Sequence, residues 1–132
     1  MATVKLAGAT RNAMVDAVTA LVGSAGTLKI YTGSMPATAD TAASGTLLAT
    51  VTMGAWGAAA SGTSNGADPA SVNASATGTA GWFRAASSGG TTVFDGDVTA
   101  TGGGGTMTLS STSLTSGSPV DITSVSITQP AS

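Results

Sequence analysis

The chain has 132 residues, four Lys or Arg, six Asp, and a formal net charge of −2, so it has the size of one modest domain and no basic surface. Phosphate recognition rests largely on Lys and Arg, so direct nucleic-acid binding is excluded, and attraction to anionic membrane surfaces is disfavoured for the same reason. There is no Cys and no His, which removes disulfides, thiolate metal sites, and Ser-His-Asp or Cys-His catalysis.

Residues Met1–Ala9 read as an extended arm, whose only sizeable side chains apart from Met1 and Lys5 are Val4 and Leu6. Thr10 is placed to cap a helix through its hydroxyl. The spacing then predicts a helix over Thr10–Val22, with Ala13, Met14, Ala17, Val18, Leu21 and Val22 on one apolar stripe and Gly23 at the C-terminal turn. That stripe is expected to pack on the sheet of its own chain or of a neighbouring subunit. The arm before it lacks an evident local partner, and a neighbour is expected to order it.

From Thr27 the period changes to two. Leu28 and Ile30 alternate with Lys29 and Tyr31, and Leu47, Ala49, Val51 and Met53 alternate with Leu48, Thr50 and Thr52. Between these strands, SMPATADTAASG is a turn-rich surface loop containing Pro36. Trp56 stands isolated among small residues, either anchoring its loop to the core or meeting a partner. A short strand is expected near Ser71–Ala76. In AGWFRAA, Trp82 and Phe83 point to opposite faces, so both faces should be covered. Asp95-Gly96 is either a tight hairpin turn or part of one bent strand. TGGGGT at Thr101–Thr106 reads as a flexible hairpin connector, and Met107–Ser111 and Val120–Thr128 close the chain as strands. Val120 and Ile122 are out of phase with Val125 and Ile127. A bulge at Thr123-Ser124, or a strand shared between two sheets, would reconcile them.

These elements imply a single domain over residues 1–132, with an arm at 1–9, a helix at 10–22 and a β-rich body at 27–130. The expected fold is mainly β, an antiparallel β-sandwich or barrel carrying one N-terminal amphipathic helix. The start of the chain lacks the apolar core of a secretory signal, and no apolar stretch is long enough for a transmembrane helix, so a soluble protein is expected.

Candidate chemistry is sparse. Asp95 and Asp97 could form a carboxylate pair, and FDGDV resembles the start of a calcium loop, but the further oxygen ligands and terminal Glu of an EF-hand are missing. Turn or strand-edge aspartates are the plainer reading. TGGGGT lacks the Gly-Lys-Ser/Thr of a phosphate loop. Trp82 beside Arg84 could stack on a sugar or base, but a core aromatic beside an arginine is the commoner pattern. The residues therefore point to no catalytic group, no metal ligand and no cofactor.

Four blocks, RNAMVDAVTALVG, KIYTGSMPATADTAASGTLLATVTM, GTAGWFRAASSGGTTVFDGDV and TLSSTSLTSGSPVDITSVSITQP, together resemble a family of small tailed-bacteriophage and prophage virion structural proteins. The resemblance spans about Lys5–Pro130 and brings no catalytic motif with it. It implies a non-enzymatic virion component, most specifically a capsid decoration (cement) protein on the outer surface of the head, made in the host cytoplasm. Its implied partners are the major capsid protein or other virion proteins, with self-association in the assembly. A neck, collar or tail component is the alternative, and a carbohydrate-binding adhesion module a third. Expected assembly contacts are Val4 and Leu6 in the arm and the loops at Pro36 and Trp56.

Overall fold

The structure, a computed structural model, describes residues 3–67 and 69–131. One helix, α1 (Gly8–Val22), precedes ten strands: β1 (Thr27–Thr32), β2 (Leu47–Thr52), β3 (Thr63–Asn65), β4 (Val72–Asn73), β5 (Gly78–Ala86), β6 (Thr92–Ala100), β7 (Met107–Leu109), β8 (Ser113–Leu114), β9 (Pro119–Val120) and β10 (Ile122–Thr128). The protein is mainly β with one N-terminal helix, as its period-two patterning predicts.

The main sheet runs β2-β1-β5-β6-β7-β10-β3, with β8 paired to the start of β5, and β4 and β9 form a separate ribbon. It is not wholly antiparallel, because β6 and β7 run parallel. Parallel neighbours ordinarily need a crossover of a dozen or more residues. Here Thr101–Thr106 achieves it by doubling back along β6, where the Gly105 N–H donates to Thr99 Oγ1 and the Thr106 N–H to Asp97 Oδ1. A Cβ on Gly103 or Gly105 would strike the Thr99 side chain, and Gly102 and Gly104 take positive φ. The glycine run therefore builds a compact reversal, not the expected hairpin connector.

Alternation along β1, β5 and β6 creates two faces. Leu28, Ile30, Phe83, Ala85 and Val98 enter the main core with Leu48, Val51, Met53, Met107 and Leu109. Phe94 packs edge-on against Phe83, with ring centroids 5.8 Å apart. Asp95-Gly96 lies inside β6, so the bent-strand alternative holds and the hairpin does not. Glycine is required there because Gly96 faces Phe83, and a Cβ would collide with that ring. The last strand region satisfies both of its expected solutions. Val120 pairs with Val72 in the ribbon, while the next residues join the main sheet with a register shift between Ile122 and Ser124. Val120, Ile122 and Val125 are all buried as a result. Near Ser71–Ala76, only Val72–Asn73 is strand.

The helix departs most from its expected form. It begins at Gly8, with Ala7 at the N-cap and no side-chain capping bond, so Thr10 is not the cap and the described arm shortens to residues 3–7. Met1 and Ala2 lie outside the described residues. The buried residues are Val15, Thr19 and Val22, whereas Met14 and Leu21 are 42% and 65% exposed. At about 100° per residue, the packed face is rotated by about one position from the apolar stripe.

Polar bonds explain this rotation. Arg11 donates from Nε to the Gln129 carbonyl at 2.8 Å and from Nη2 to the Ser61 carbonyl at 3.0 Å. Asn12 Oδ1 accepts the Gly62 N–H at 2.8 Å, and Asp16 Oδ1 accepts the Ala59 N–H at 2.9 Å. These side chains satisfy backbone groups of the 59–62 turn and the end of β10, where unpaired groups would be costly. They orient the helix with Val15 and Val22 inward and most of the apolar stripe outward.

Candidate functional site

The face of β1, β5 and β6 opposite the main core carries Tyr31, Trp82, Arg84 and Asp95. Register places Tyr31 beside Trp82 and Arg84 beside Asp95. The Tyr31 and Trp82 rings stack with centroids 4.7 Å apart, and the Arg84 guanidinium lies 5.4 Å from the Trp82 ring centre. Arg84 donates to both Asp95 carboxylate oxygens, at 2.7 and 2.8 Å, and the two side chains are only 11% and 4% exposed. The bond to Asp95 holds the guanidinium above its ordinary pKa, against the opposing effect of desolvation.

The Gly33–Thr46 connection approaches this face. Its ends are clasped by bonds between Thr32 and Thr46, and Gly33 lies so close over Gly81 that a Cβ there would collide with its carbonyl. Trp82 and Phe83 are both fully buried on their opposite faces, as the sequence predicts. The Trp82 Nε1–H is buried with no partner among the described residues. This burial removes Trp82 as a stacking platform for a sugar or base, which would need a free ring face.

Asp95 and Asp97 lie two residues apart on β6, but each serves the fold. Asp95 neutralises Arg84, and Asp97 Oδ1 accepts the Thr106 N–H at 2.9 Å in the glycine reversal. That backbone bond draws the Asp97 carboxyl below its usual pKa, burial opposing it. Among the described residues, no cluster of three or more Asp, Glu, His or Cys could hold a metal ion.

The expected assembly contacts occupy different places. Val4 is 67% exposed. Leu6 is half-buried, and its N–H donates to the Ala131 carbonyl at 2.7 Å, so the arm does have a local partner in the chain's own C-terminal segment. Pro36 is half-buried in the β1–β2 loop, beside the exposed Met35. Trp56 is half-buried against the core and bridges to Gly66, which makes it a loop anchor. Its Nε1–H is buried with no partner among the described residues, and Trp56 lines a shallow groove against Asp16, Thr19 and Ala20 of α1.

Sequence periodicity singled out the flank of α1 that stays largely exposed and missed the Val15–Thr19–Val22 flank that packs inward. Met14, Ala17 and Val18 form, with Ile127, Thr128 and Gln129 of and just beyond β10, a mainly apolar groove of about 340 Å³. The exposed Leu21 stands one turn further along the same helix face. A Val15–Thr19–Val22 spacing competing with the stripe was the available signal, together with three polar residues at Arg11, Asn12 and Asp16 able to reach the chain elsewhere. No protein-family model matches this sequence, and neither the curated proteins nor the solved structures contain a match.

Proposed function

We propose that this chain is a non-enzymatic structural component of a tailed-phage virion, specifically a decoration protein on the outer surface of the head. The reading rests on the four sequence blocks that resemble small virion proteins. The structural observation that supports it best is an exposed apolar helix face on a molecule in which only 8% of residues are charged. Such a surface has little electrostatic protection against association and suits a protein covered by neighbours. The engagement of Arg84, Asp95 and Asp97 in bonds of their own fold agrees with a role that needs no chemistry.

A decoration protein works by adding buried area between capsomers. If it binds the mature lattice and not its precursor, mass action stabilises the mature shell. The major capsid protein is then the principal partner, with Val4, Leu6, Pro36 and Trp56 as contact candidates. Densitometry of purified virions, combined with imaging of the labelled chain, tests this reading. Hundreds of copies over the head are expected. Six or twelve copies at one vertex, or labelling confined to the tail, would replace it with the neck, collar or tail alternative.

A further inference from the structure

We propose that the groove between α1 and the Trp56 loop is a cation site, which takes the ε-ammonium of a lysine presented by the capsid partner. The groove, about 450 Å³, is walled on one side by Asp16, Thr19 and Ala20 of α1 with Gly23 and Ser24 just beyond it, and on the other by residues 55–58. No Lys or Arg lines it, and three features of its wall favour positive charge. The first is the Asp16 carboxylate. Its Oδ1 accepts the Ala59 N–H, which fixes the group in place, and its Oδ2 accepts no bond among the described residues. The salt bridge among the described residues is Arg84–Asp95, so Asp16 is not neutralised by its own chain. Arg11, the other charged residue of α1, turns away to the carbonyls of Gln129 and Ser61. The second is the carbonyl end of α1. The helix stops at Val22 with no basic residue in its last turn, so the negative end of its dipole meets the groove uncompensated. The third is Trp56. Its Nε1–H is buried, so its indole offers the groove ring carbon and no donor, and the face of such a ring attracts cations.

These features select the occupant. A neutral group would strip water from the carboxylate and return no charge-assisted bond, and an anion would be repelled by both the carboxylate and the helix end. A bare divalent cation takes several oxygen ligands, and the groove supplies one carboxylate. A guanidinium pairs best through both carboxylate oxygens, and Oδ1 is already engaged. An ammonium bonds well through Oδ2 alone and can lay its methylene stem along Trp56. The groove is therefore matched to a lysine side chain, and the net charge of −2 adds a long-range attraction for a basic partner. That the lysine belongs to the capsid partner rests on the virion reading, in which Trp56 is a contact candidate. The preference of the groove for a cation does not.

Nα-acetyl-lysine methylamide, titrated into the isotope-labelled full chain up to about 100 mM against matched NaCl, should shift the NMR signals of Trp56, Thr19 and Ser24 saturably. The uncharged norleucine analogue should not. Asp16→Asn keeps an oxygen for the Ala59 N–H and removes the charge, so the melting temperature should hold while the affinity falls about fivefold or more. Attachment of the chain to undecorated phage heads should weaken with the same substitution and with added salt, whereas Asp121→Asn, at an exposed aspartate outside the groove, should leave it unchanged. The absence of a saturable shift, equal shifts with the norleucine analogue, or an affinity unaltered in Asp16→Asn would each overturn the cation site. Undiminished head attachment by Asp16→Asn would overturn its lysine partner on the capsid and leave the virion reading standing. Failure of the wild type to attach to heads would strike the virion reading instead, with the titration still deciding the groove.

Discussion

Replacing Asp95 by Ala should be among the most damaging single changes to this fold. It leaves the Arg84 guanidinium, 11% exposed and seated over Trp82, without the carboxylate that accepts two of its hydrogen bonds. Arg84 cannot escape by losing its proton, because a guanidinium stays charged at any working pH even without its partner. Breaking such a pair by removing one partner costs about 3–5 kcal/mol, against a total stability of about 5–15 kcal/mol for a domain. Replacing both partners tests the cause. Arg84→Met with Asp95→Leu removes both charges and keeps apolar bulk between Trp82 and β6, so it should be more stable than Asp95→Ala by about 2 kcal/mol or more. Urea denaturation of the wild type, both single variants and the double variant, with midpoint and slope fitted separately, measures the coupling. A loss below about 1 kcal/mol for Asp95→Ala would place the pair with exposed salt bridges and refute the reasoning. So would a double variant whose loss equals the sum of the single losses.

The orientation of α1 predicts that Val15→Asp destabilises severely, by burying an unpaired charge, while Leu21→Asp shifts stability by only about 0.5 kcal/mol; thermal melts followed by circular dichroism compare them. Gly96→Ala should cost about 1–3 kcal/mol through its collision with the Phe83 ring, and Phe83→Leu in the same chain should recover part of that loss, as chemical denaturation would show. Asp97 has a lowered carboxyl pKa, so its stabilising contribution is complete above the ordinary value of about 3.9 and disappears as pH falls through its folded-state value. The melting-temperature gap between wild type and Asp97→Asn should therefore be largest near neutral pH and close only as pH falls below the lowered folded-state value of Asp97.

The single helix, strands β1, β2, β5, β7 and β10 and the opposed burial of Trp82 and Phe83 were legible in the sequence, because each rests on local periodicity, whereas the short strands β3 and β8 were not. Leu28 and Ile30 declare one face of β1 whatever β1 pairs with, and the phase conflict between Val120–Ile122 and Val125–Ile127 already asked for a bulge or a strand shared between two sheets, and both are found. The orientation of α1 was not legible. Met14, Val18 and Leu21 make the more apolar stripe, but Arg11, Asn12 and Asp16 reach backbone groups that are distant in sequence and meet the helix only after the 59–62 turn and β10 have assembled. Likewise, nothing near Asp95 in the sequence announces that Arg84 will lie opposite it, or that Gly96 makes room for Phe83. Those pairings come from the β5–β6 register. The parallel alignment of β6 and β7 was hidden for a related reason: four glycines permit many paths between two strands, and the bonds from Thr99 and Asp97 to the returning backbone select one. Local patterning thus determined which segments become helix and strand, whereas long-range pairing decided which side chains meet and which apolar face of α1 remained outside.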